Sequence, residues 1–229
     1  MIARLVEWRE IADNTRHFTF EVPEVKEFSF VPGQFVSFTE TIGDKEITRP
    51  YSIASKPDGN RFEICLNLVE DGLFSPLLFS MQRGDTLEMG QPLGYFVLRN
   101  PRKDSILVAT GTGVTPFRSM LTAFLGQGDP TQFTLLFGVR FEHNLLYREE
   151  FEELSRLHPN FQFHPTLTRP EPSWAGLKGR VQPHLLELIG ERRDLDIYIC
   201  GLKLMVDDVR AKLKTLGFDR KQVIFEKYD

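Results

Sequence analysis

The sequence predicts two domains: an N-terminal antiparallel β-barrel over residues 1–98, and a C-terminal α/β domain with a doubly wound parallel sheet over residues 102–229. In the first part, short runs of aromatic and β-branched residues are separated by Gly, Pro and Asp, which is typical of closely spaced antiparallel strands. From residue 105 onward, apolar runs alternate with helical patterns, as in a parallel sheet with helices on both faces. The predicted linker is Asn100-Pro101-Arg102-Lys103, where the pattern changes.

The elements of the first domain follow from its local composition. The predicted strands are His17–Val22, Gln34–Thr39 and Arg61–Leu66. Each is rich in aromatic or β-branched side chains, which fit the pleated, half-buried surface of a sheet. Phe74–Met81 interrupts this texture and is predicted as a short helix.

The second domain is predicted to alternate between buried strands and amphipathic helices. Its predicted strands are Ser105–Thr110, Phe133–Val139, Phe161–Leu167, Asp196–Cys200 and Val223–Phe225. The helix after the first strand carries Phe117, Met120, Leu121 and Phe124 on one face. Further helices are predicted over Tyr147–Leu157 and over the segment with Met205, Val209, Leu213 and Leu216. The continuous apolar strands indicate a sheet buried on both faces.

Composition and charge exclude several classes of protein. The chain has 229 residues, of which 41% are hydrophobic and 26% charged, as in an ordinary globular protein rather than a disordered one. Its net charge of −4 does not favour binding to nucleic acid. We see no secretory signal and no apolar run of about 18 residues, so we expect no membrane span and a cytoplasmic location.

The two cysteines, Cys65 and Cys200, lie far apart in the sequence. They do not make a disulfide framework, so a reducing compartment is expected. They are also too few for an internal iron–sulfur cluster held by four thiolates, and no metal site is predicted. An iron–sulfur carrier that works with this protein would therefore be a separate molecule.

The segment Gly111-Thr112-Gly113-Val114-Thr115-Pro116 joins the first buried strand of the second domain to its helix. Glycines permit a tight turn and a close approach of phosphate to the backbone, and a helix N-terminus favours an anion. Pro116 suits the first turn of the helix. Because Pro stands where the full dinucleotide-binding fingerprint has its last glycine, an ordinary strand–helix turn remains an alternative reading of these residues.

The segment Arg49-Pro50-Tyr51-Ser52-Ile53-Ala54-Ser55 combines three chemistries within one strand. An arginine fork suits a phosphate, a tyrosine ring can lie on a flat heterocycle, and a serine hydroxyl can hydrogen-bond a ring nitrogen. Side chains two apart in a strand share a face, so Arg49 and Tyr51 are expected to point together. Taken alone, the segment also fits a strand with a surface arginine and a half-buried tyrosine.

Five spaced motifs occur in order from about residue 30 to the C-terminus. They are Pro32-Gly33-Gln34-Phe35, Arg49-Pro50-Tyr51-Ser52 with Ser55, Gly72-Leu73-Phe74-Ser75, Gly111-Thr112-Gly113 with Pro116, and Cys200-Gly201. Together they resemble the ferredoxin–NADP reductase superfamily. The resemblance implies FAD bound by the first domain and a nicotinamide nucleotide bound by the second. It further implies an NAD(P)H-dependent flavoprotein oxidoreductase whose partner is a ferredoxin- or flavodoxin-type electron carrier.

The same resemblance assigns roles to individual residues. The implied FAD-binding residues are Arg49, Pro50, Tyr51, Ser52, Gly72, Leu73, Phe74 and Ser75. Arg49 would hold the pyrophosphate with the backbone and hydroxyl of Gly72–Ser75, Tyr51 would stack on the isoalloxazine ring, and Ser52 would hydrogen-bond near flavin N5. The implied catalytic residues are Ser52, Cys200, Glu226 and Tyr228, with Cys200 beside the nicotinamide and Tyr228 covering the flavin face. Asp229 extends one residue beyond the family pattern.

The implied NADP-binding residues are Gly111, Thr112, Gly113, Pro116, Arg140, Arg169, Arg180, Cys200 and Gly201. A 2′-phosphate is usually held by arginines and a bare ribose by an acid. Arg140 and Arg169 follow two predicted parallel strands, and these positions resemble the basic set of relatives that use NADPH. We therefore expect NADPH rather than NADH, with Arg169 as the more discriminating residue; a solvated loop charge is its other interpretation.

Three other functions remain open. The first is the NADH-linked reductase of an oxygenase system, although such reductases often carry a ferredoxin domain for which this sequence has no cysteines. The chain also fits an NAD(P)H:flavin reductase that uses flavin as a substrate, against which Gly72–Ser75 argues. The last alternative is a non-enzymatic electron-transfer subunit of a larger complex.

Overall fold

The structure is a computed structural model that describes residues 1–228. Asp229, noted above as lying beyond the family pattern, is outside the described residues. The chain divides into two compact units, one formed by Met1–Leu98 with Thr115–Ala123 and the other by Arg99–Val114 with the chain from Phe124 onward. No helix among residues 1–228 has both the length and the apolar composition needed to cross a membrane.

The first unit contains a six-stranded antiparallel sheet with a short helix. Its elements are β1 (Ile2–Ala12), β2 (Thr15–Glu21), β3 (Phe35–Ile42), β4 (Lys45–Ser52), β5 (Arg61–Asn67), α1 (Phe74–Ser80) and β6 (Thr86–Met89). The strands lie in the order β4-β3-β6-β1-β2-β5. An antiparallel bridge between Ile53, the residue after β4, and Ile64 in the middle of β5 connects the two outer strands, so the sheet curls round on itself.

The interior of the first unit is built from phenylalanines on alternate positions of its strands. The rings of Phe20 and Phe62 are stacked 5.6 Å apart, and Phe20 also lies 5.2 Å from Phe38. All three are fully buried, and each buried ring contributes about 1.5–3 kcal/mol of transfer free energy. The same alternation leaves the other faces of these strands available for polar contacts.

The second unit contains a six-stranded sheet in which every pair of neighbouring strands is parallel. The remaining elements of the chain are β7 (Ser105–Thr110), α2 (Thr115–Phe124), β8 (Phe133–Val139), α3 (Arg148–Leu157), β9 (Phe161–Leu167), β10 (Leu177–Lys178), α4 (Val181–Ile189), β11 (Asp196–Leu202), α5 (Lys203–Thr215) and β12 (Val223–Tyr228). The order β10-β9-β8-β7-β11-β12 reverses between β7 and β11. In such sheets ligands bind outside the carboxyl ends of the strands at this reversal.

The core of the second unit explains why its central strands β7, β8 and β11 are mostly apolar. Val206 and Leu213 of α5 and Val181 and Leu185 of α4 belong to one buried cluster with Val108, Leu136, Ile197 and Ile199 of the sheet. Phe151 of α3 lies 5.3 Å from Phe163 of β9. The predicted fold class, an antiparallel first domain and a parallel α/β second domain, is confirmed.

The helix α2 is grouped with the first unit over Thr115–Ala123. Its Phe117 ring lies edge-on, 5.5 Å from Phe96, and a Cβ on Gly33 would collide with the Phe96 carbonyl and the Met120 side chain. Gly33 also has a φ of +102°. The glycine of the Pro32-Gly33-Gln34-Phe35 motif is therefore required both by backbone conformation and by close packing.

Candidate functional site

The strand β4 carries the predicted flavin residues and runs from the surface into the core. It pairs with β3 so that Phe38 lies opposite Arg49 and Phe35 opposite Ser52. Arg49 is exposed and donates from Nη1 to the Thr48 carbonyl at 2.9 Å, whereas Ser52 is buried. No carboxylate among the described residues forms an ion pair with Arg49, so its guanidinium is suited to an external anion.

Tyr51 offers a flat aromatic surface beside this arginine. Its ring is half-buried, with its centroid 5.8 Å from that of Phe38 and 6.1 Å from that of Phe74. Burial raises the pKa of Tyr51 while the Arg49 charge acts in the opposite direction, so the hydroxyl stays protonated at neutral pH. A neutral ring held by two others can stack on a planar heterocycle.

The loop before α1 is held by a hydroxyl. The Val69 N–H donates to the Ser75 Oγ at 2.9 Å, and this hydroxyl donates to the Val69 carbonyl at 3.3 Å. Gly72 donates from its backbone to the Val69 carbonyl at 2.8 Å, and a Cβ on Gly72 would lie 2.9 Å from the same oxygen. Leu73 precedes the helix without a side-chain cap. The Ser75 hydroxyl is therefore engaged within the loop, and the uncapped backbone N–H groups are the groups suited to phosphate.

The glycine loop of the second unit is a tight turn over Gly111–Val114, between β7 and α2. Gly111 has a φ of +54°, and a Cβ built there would meet nothing within 4 Å. Gly113 is buried, and a Cβ there would lie 2.6 Å from the carbonyl carbon of Cys200 and 2.7 Å from the Cα of Gly201. The turn is thus closed towards β11 and open above Gly111, which fits the approach of a phosphate to the backbone.

The motif Cys200-Gly201 lies at the end of β11, beside the glycine loop. Gly201 has a φ of +143°, and a Cβ there would lie 3.0 Å from the carbonyl oxygen of Thr110. Pro116 follows as the second residue of α2, where its missing N–H is tolerated. The predicted nucleotide residues at the ends of β7 and β11 are therefore neighbours in the structure.

Three of the four predicted catalytic residues lie together in the second unit. The parallel register of β11 and β12 places Glu226 opposite Cys200 and Tyr228 opposite Leu202. Burial, followed by the Glu226 charge, raises the pKa of Cys200 well above its usual value, while a hydrogen bond with the Tyr228 side chain opposes the shift. The thiol is therefore neutral at pH 7. Ser52, the fourth residue, belongs to the first unit.

The three predicted NADP arginines follow the ends of neighbouring strands. Arg169 donates from its backbone to the carbonyl of Arg140 at 2.9 Å, which holds the ends of β8 and β9 together. Arg180 immediately precedes α4. All three are exposed, and the described part of the chain supplies no carboxylate paired with them. They therefore fit an anionic ligand group at the carboxyl edge of the sheet.

Sequence reasoning missed a polar cluster beside the segment that follows β4. Arg118 of α2 donates to Glu63 Oε2 at 2.6 Å and to the Ala54 carbonyl at 2.9 Å, and Ser119 donates to the Ser55 carbonyl at 2.5 Å. Arg118 and Glu63 are 55 residues apart, so no local pattern marks the pair. Residues 1–228 contain no group of three or more His, Cys, Asp or Glu side chains that could hold a metal ion.

Family models match both parts of the chain. The oxidoreductase FAD-binding domain matches residues 2–98, and the oxidoreductase NAD-binding domain matches residues 107–211. The first of these ranges contains Arg49, Tyr51 and Gly72, and the second contains Gly111 and Cys200.

Relatives extend over nearly the full chain. Ferredoxin–NADP reductase B of Sorangium cellulosum is 41% identical over 237 residues, covering 99% of this chain and 97% of the relative. NADH-cytochrome b5 reductase 1 of Dictyostelium discoideum is 31% identical over 216 residues, covering 92% and 76%. The crystal structure of a ferredoxin NADP+ reductase from Neisseria gonorrhoeae with bound FAD and NADP is similar with a TM-score of 0.84 and 25% identity, covering 99% of this chain and 98% of that one.

Proposed function

This chain belongs to the ferredoxin reductase superfamily and is an NAD(P)H-dependent flavoprotein oxidoreductase, and on that basis we propose that it is a ferredoxin (or flavodoxin) NADP reductase. Hydride would be exchanged between NADPH and FAD, and electrons would pass singly to or from a separate carrier protein. The observation that carries the proposal is the 41% identity to a ferredoxin–NADP reductase across nearly the whole of both chains.

Bound FAD supplies the redox chemistry, because its flavin ring accepts two electrons and can release them one at a time. The chain supplies binding and orientation. Arg49 would neutralise the pyrophosphate together with the backbone of Gly72–Ser75, and Tyr51 would fix the plane of the ring. Ser52, buried at the end of β4, would donate a hydrogen bond to the edge of the ring.

The nucleotide side is proposed on the geometry of the second unit. Gly111 and Gly113 would receive the pyrophosphate of NADPH, and the arginines at 140, 169 and 180 would receive the 2′-phosphate. The Cys200 thiol, neutral and fully buried, would lie beside the nicotinamide without adding charge. Glu226 and the Tyr228 hydroxyl adjoin this thiol and would complete the site.

An NADH-linked reductase is the second candidate, such as the reductase component of an oxygenase system. It is favoured by the 31% identity to an NADH-cytochrome b5 reductase. The three unpaired arginines favour NADPH instead, since a bare ribose leaves such a cluster without a partner. If the protein is an NADH-linked reductase, its electron carrier would be a cytochrome or an oxygenase component rather than ferredoxin or flavodoxin.

Steady-state turnover tests these alternatives directly. The purified holoenzyme is assayed with NADPH and NADH against ferredoxin, flavodoxin, cytochrome b5 and free flavin. We expect kcat/KM to be highest with NADPH and ferredoxin or flavodoxin. Preference for NADH with cytochrome would support the second candidate, and turnover only with free flavin would support a flavin reductase. Neither Cys65 nor Cys200 forms a disulfide within residues 1–228, and we place the protein in a reducing compartment such as the cytoplasm.

The coenzyme preference has its own test in Arg169→Ala. Loss of a guanidinium that contacts the 2′-phosphate should raise KM for NADPH about 10-fold and leave KM for NADH nearly unchanged. Arg83→Ala, which removes another exposed arginine, is the matched control. Equal effects on the two nucleotides would contradict a phosphate contact.

A further inference from the structure

We propose that Arg118 is a positioning residue for flavin reduction, which holds the first turns of α2 against the chain segment that immediately follows Ser52. This inference rests on the proposed function, because one of its two tests measures the reduction of bound flavin by a nicotinamide nucleotide. Arg118 lies in α2, and the glycine loop Gly111–Val114 runs directly into that helix. Whatever holds α2 therefore also restrains the end of the loop.

The guanidinium of Arg118 makes two short contacts. Its Nη1 donates to Glu63 Oε2 at 2.6 Å and to the carbonyl of Ala54 at 2.9 Å. The Arg118 side chain is 13% exposed and that of Glu63 is 27% exposed. Charge-assisted hydrogen bonds in such partly buried sites are stronger than surface ion pairs, because water competes less with them.

Glu63 is tied to the same segment by its backbone. Its carbonyl accepts from the Ala54 N–H at 2.7 Å, and its own N–H donates to Ser55 Oγ at 3.1 Å. Burial favours the neutral acid, but the hydrogen bonds and charges of His17 and Arg118 outweigh it and lower the pKa of Glu63 to about 2. The carboxylate is therefore charged throughout the physiological range, and its bond to Arg118 is maintained.

Ser119 makes a second attachment to the same segment. This fully buried hydroxyl donates to the Ser55 carbonyl at 2.5 Å. Successive residues of α2 thus bind the carbonyl oxygens of Ala54 and Ser55, the second and third residues after Ser52. Ser55, the last residue of the flavin motif, is accordingly used by the fold to hold α2.

Hydride transfer is sensitive to such restraint, since a misplacement of about 1 Å can reduce a rate by roughly 100-fold. The ion pair of Arg4 and Glu21 has no connection of this kind, since it is a 2.8 Å pair that joins β1 and β2 of the same unit. Arg4→Gln is therefore a matched control for Arg118→Gln.

The experiment compares these two variants with the unaltered FAD-loaded protein. Hydrogen–deuterium exchange without nucleotide should be about 10-fold faster over residues 111–119 in Arg118→Gln and unchanged in Arg4→Gln. In stopped flow, the rate of flavin reduction by NADPH or NADH, whichever is faster, should fall roughly 10- to 100-fold in Arg118→Gln. FAD content and reoxidation of the reduced flavin by ferricyanide should not change.

Arg118→Lys keeps the charge but not the fork, so it should recover part of the lost rate. If Arg118→Gln fails to retain FAD, Ser119→Ala provides the same comparison with an expected loss of about 3- to 10-fold. Unchanged exchange and flavin reduction would overturn the proposal, as would an equal loss in reoxidation. If neither nucleotide reduces the unaltered protein, the proposed function fails, and the exchange comparison alone decides the role of Arg118.

Discussion

The two loops proposed to receive phosphate are held in different ways. In the first unit, the turn before α1 depends on a side chain, because the Ser75 hydroxyl bonds both backbone groups of Val69. In the second unit, the turn at Gly111–Val114 depends on the lack of one, because Gly113 packs directly against the backbone of Cys200 and Gly201. Removing a hydroxyl costs only the free energy of its hydrogen bonds. In contrast, a methyl group cannot be added where there is no room for it unless the backbone moves.

The largest effect is expected for Gly113→Ala. The new Cβ would lie 2.6–2.7 Å from backbone atoms of Cys200 and Gly201, so the loop must move away from β11. We expect affinity for NADP+ to fall at least 100-fold, as measured by titration calorimetry, with FAD content retained. Gly90→Ala is the control, since Gly90, like Gly113, does not have a positive φ, and a Cβ there would lie 4.0 Å from the Ser37 carbonyl oxygen, an ordinary contact distance. If Gly113→Ala retained its affinity for NADP+, nucleotide binding would not depend on the close packing of Gly113 against the backbone of Cys200 and Gly201.

A smaller effect is expected for Ser75→Ala. The Val69 N–H loses its hydroxyl partner, which costs about 1–2 kcal/mol and should weaken FAD binding about 5- to 30-fold. The dissociation constant can be measured by fluorescence as FAD is added to the apoprotein. Ser80→Ala removes an exposed hydroxyl that bonds the Leu77 carbonyl at the end of the same helix, and it should leave FAD affinity unchanged. Equal FAD dissociation constants for Ser75→Ala and Ser80→Ala would contradict the view that the turn before α1 depends on the Ser75 hydroxyl.

The smallest effect is expected from lowering the pH, because protonation weakens ion pairs and hydrogen bonds but does not change the packing of the backbone. The folded pKa of Glu63 is about 2, below its ordinary 4.5, so its stabilising contribution is complete above pH 4.5 and is lost as pH falls towards 2. Allowing for partial exposure, about 1 kcal/mol should disappear between pH 6 and pH 3. Urea unfolding of the native chain and of Glu63→Gln checks this, because their difference in unfolding free energy should narrow over that range. A constant difference would mean that the carboxylate is not stabilised by His17 and Arg118.

The sequence was most informative where burial is uniform. The bounds of β7 and β8 were predicted to the residue because these central parallel strands are nearly continuous apolar runs between turns. The strand β1 was not predicted, since register shifts after Leu5 and Glu10 break the alternation of its side chains. The helix α4 was also missed, because Pro183 in its first turn resembles a helix breaker although it is tolerated there.

The candidate site was predictable only where motifs are local. Short motifs around Tyr51, Gly111 and Cys200 indicated the residues to examine, and their roles remain proposals. The cluster of Arg118, Glu63 and Ser55 depends on contacts between segments that are distant in the sequence, and no single segment carries a signal for it. The side-chain bond between Cys200 and Tyr228 likewise depends on the register of β11 and β12, which the motif does not specify.

The membership of α2 in the first unit has a consequence for how such proteins can recombine. Residues 115–123 complete a unit whose other residues all precede position 99. A chimera of two relatives joined near residue 98 would combine Gly33 and Phe96 from one parent with Phe117 and Met120 from the other. We therefore expect a hybrid to function when its two parents have the same residues at these positions. We also expect function when residues 115–123 come from the same parent as residues 1–98.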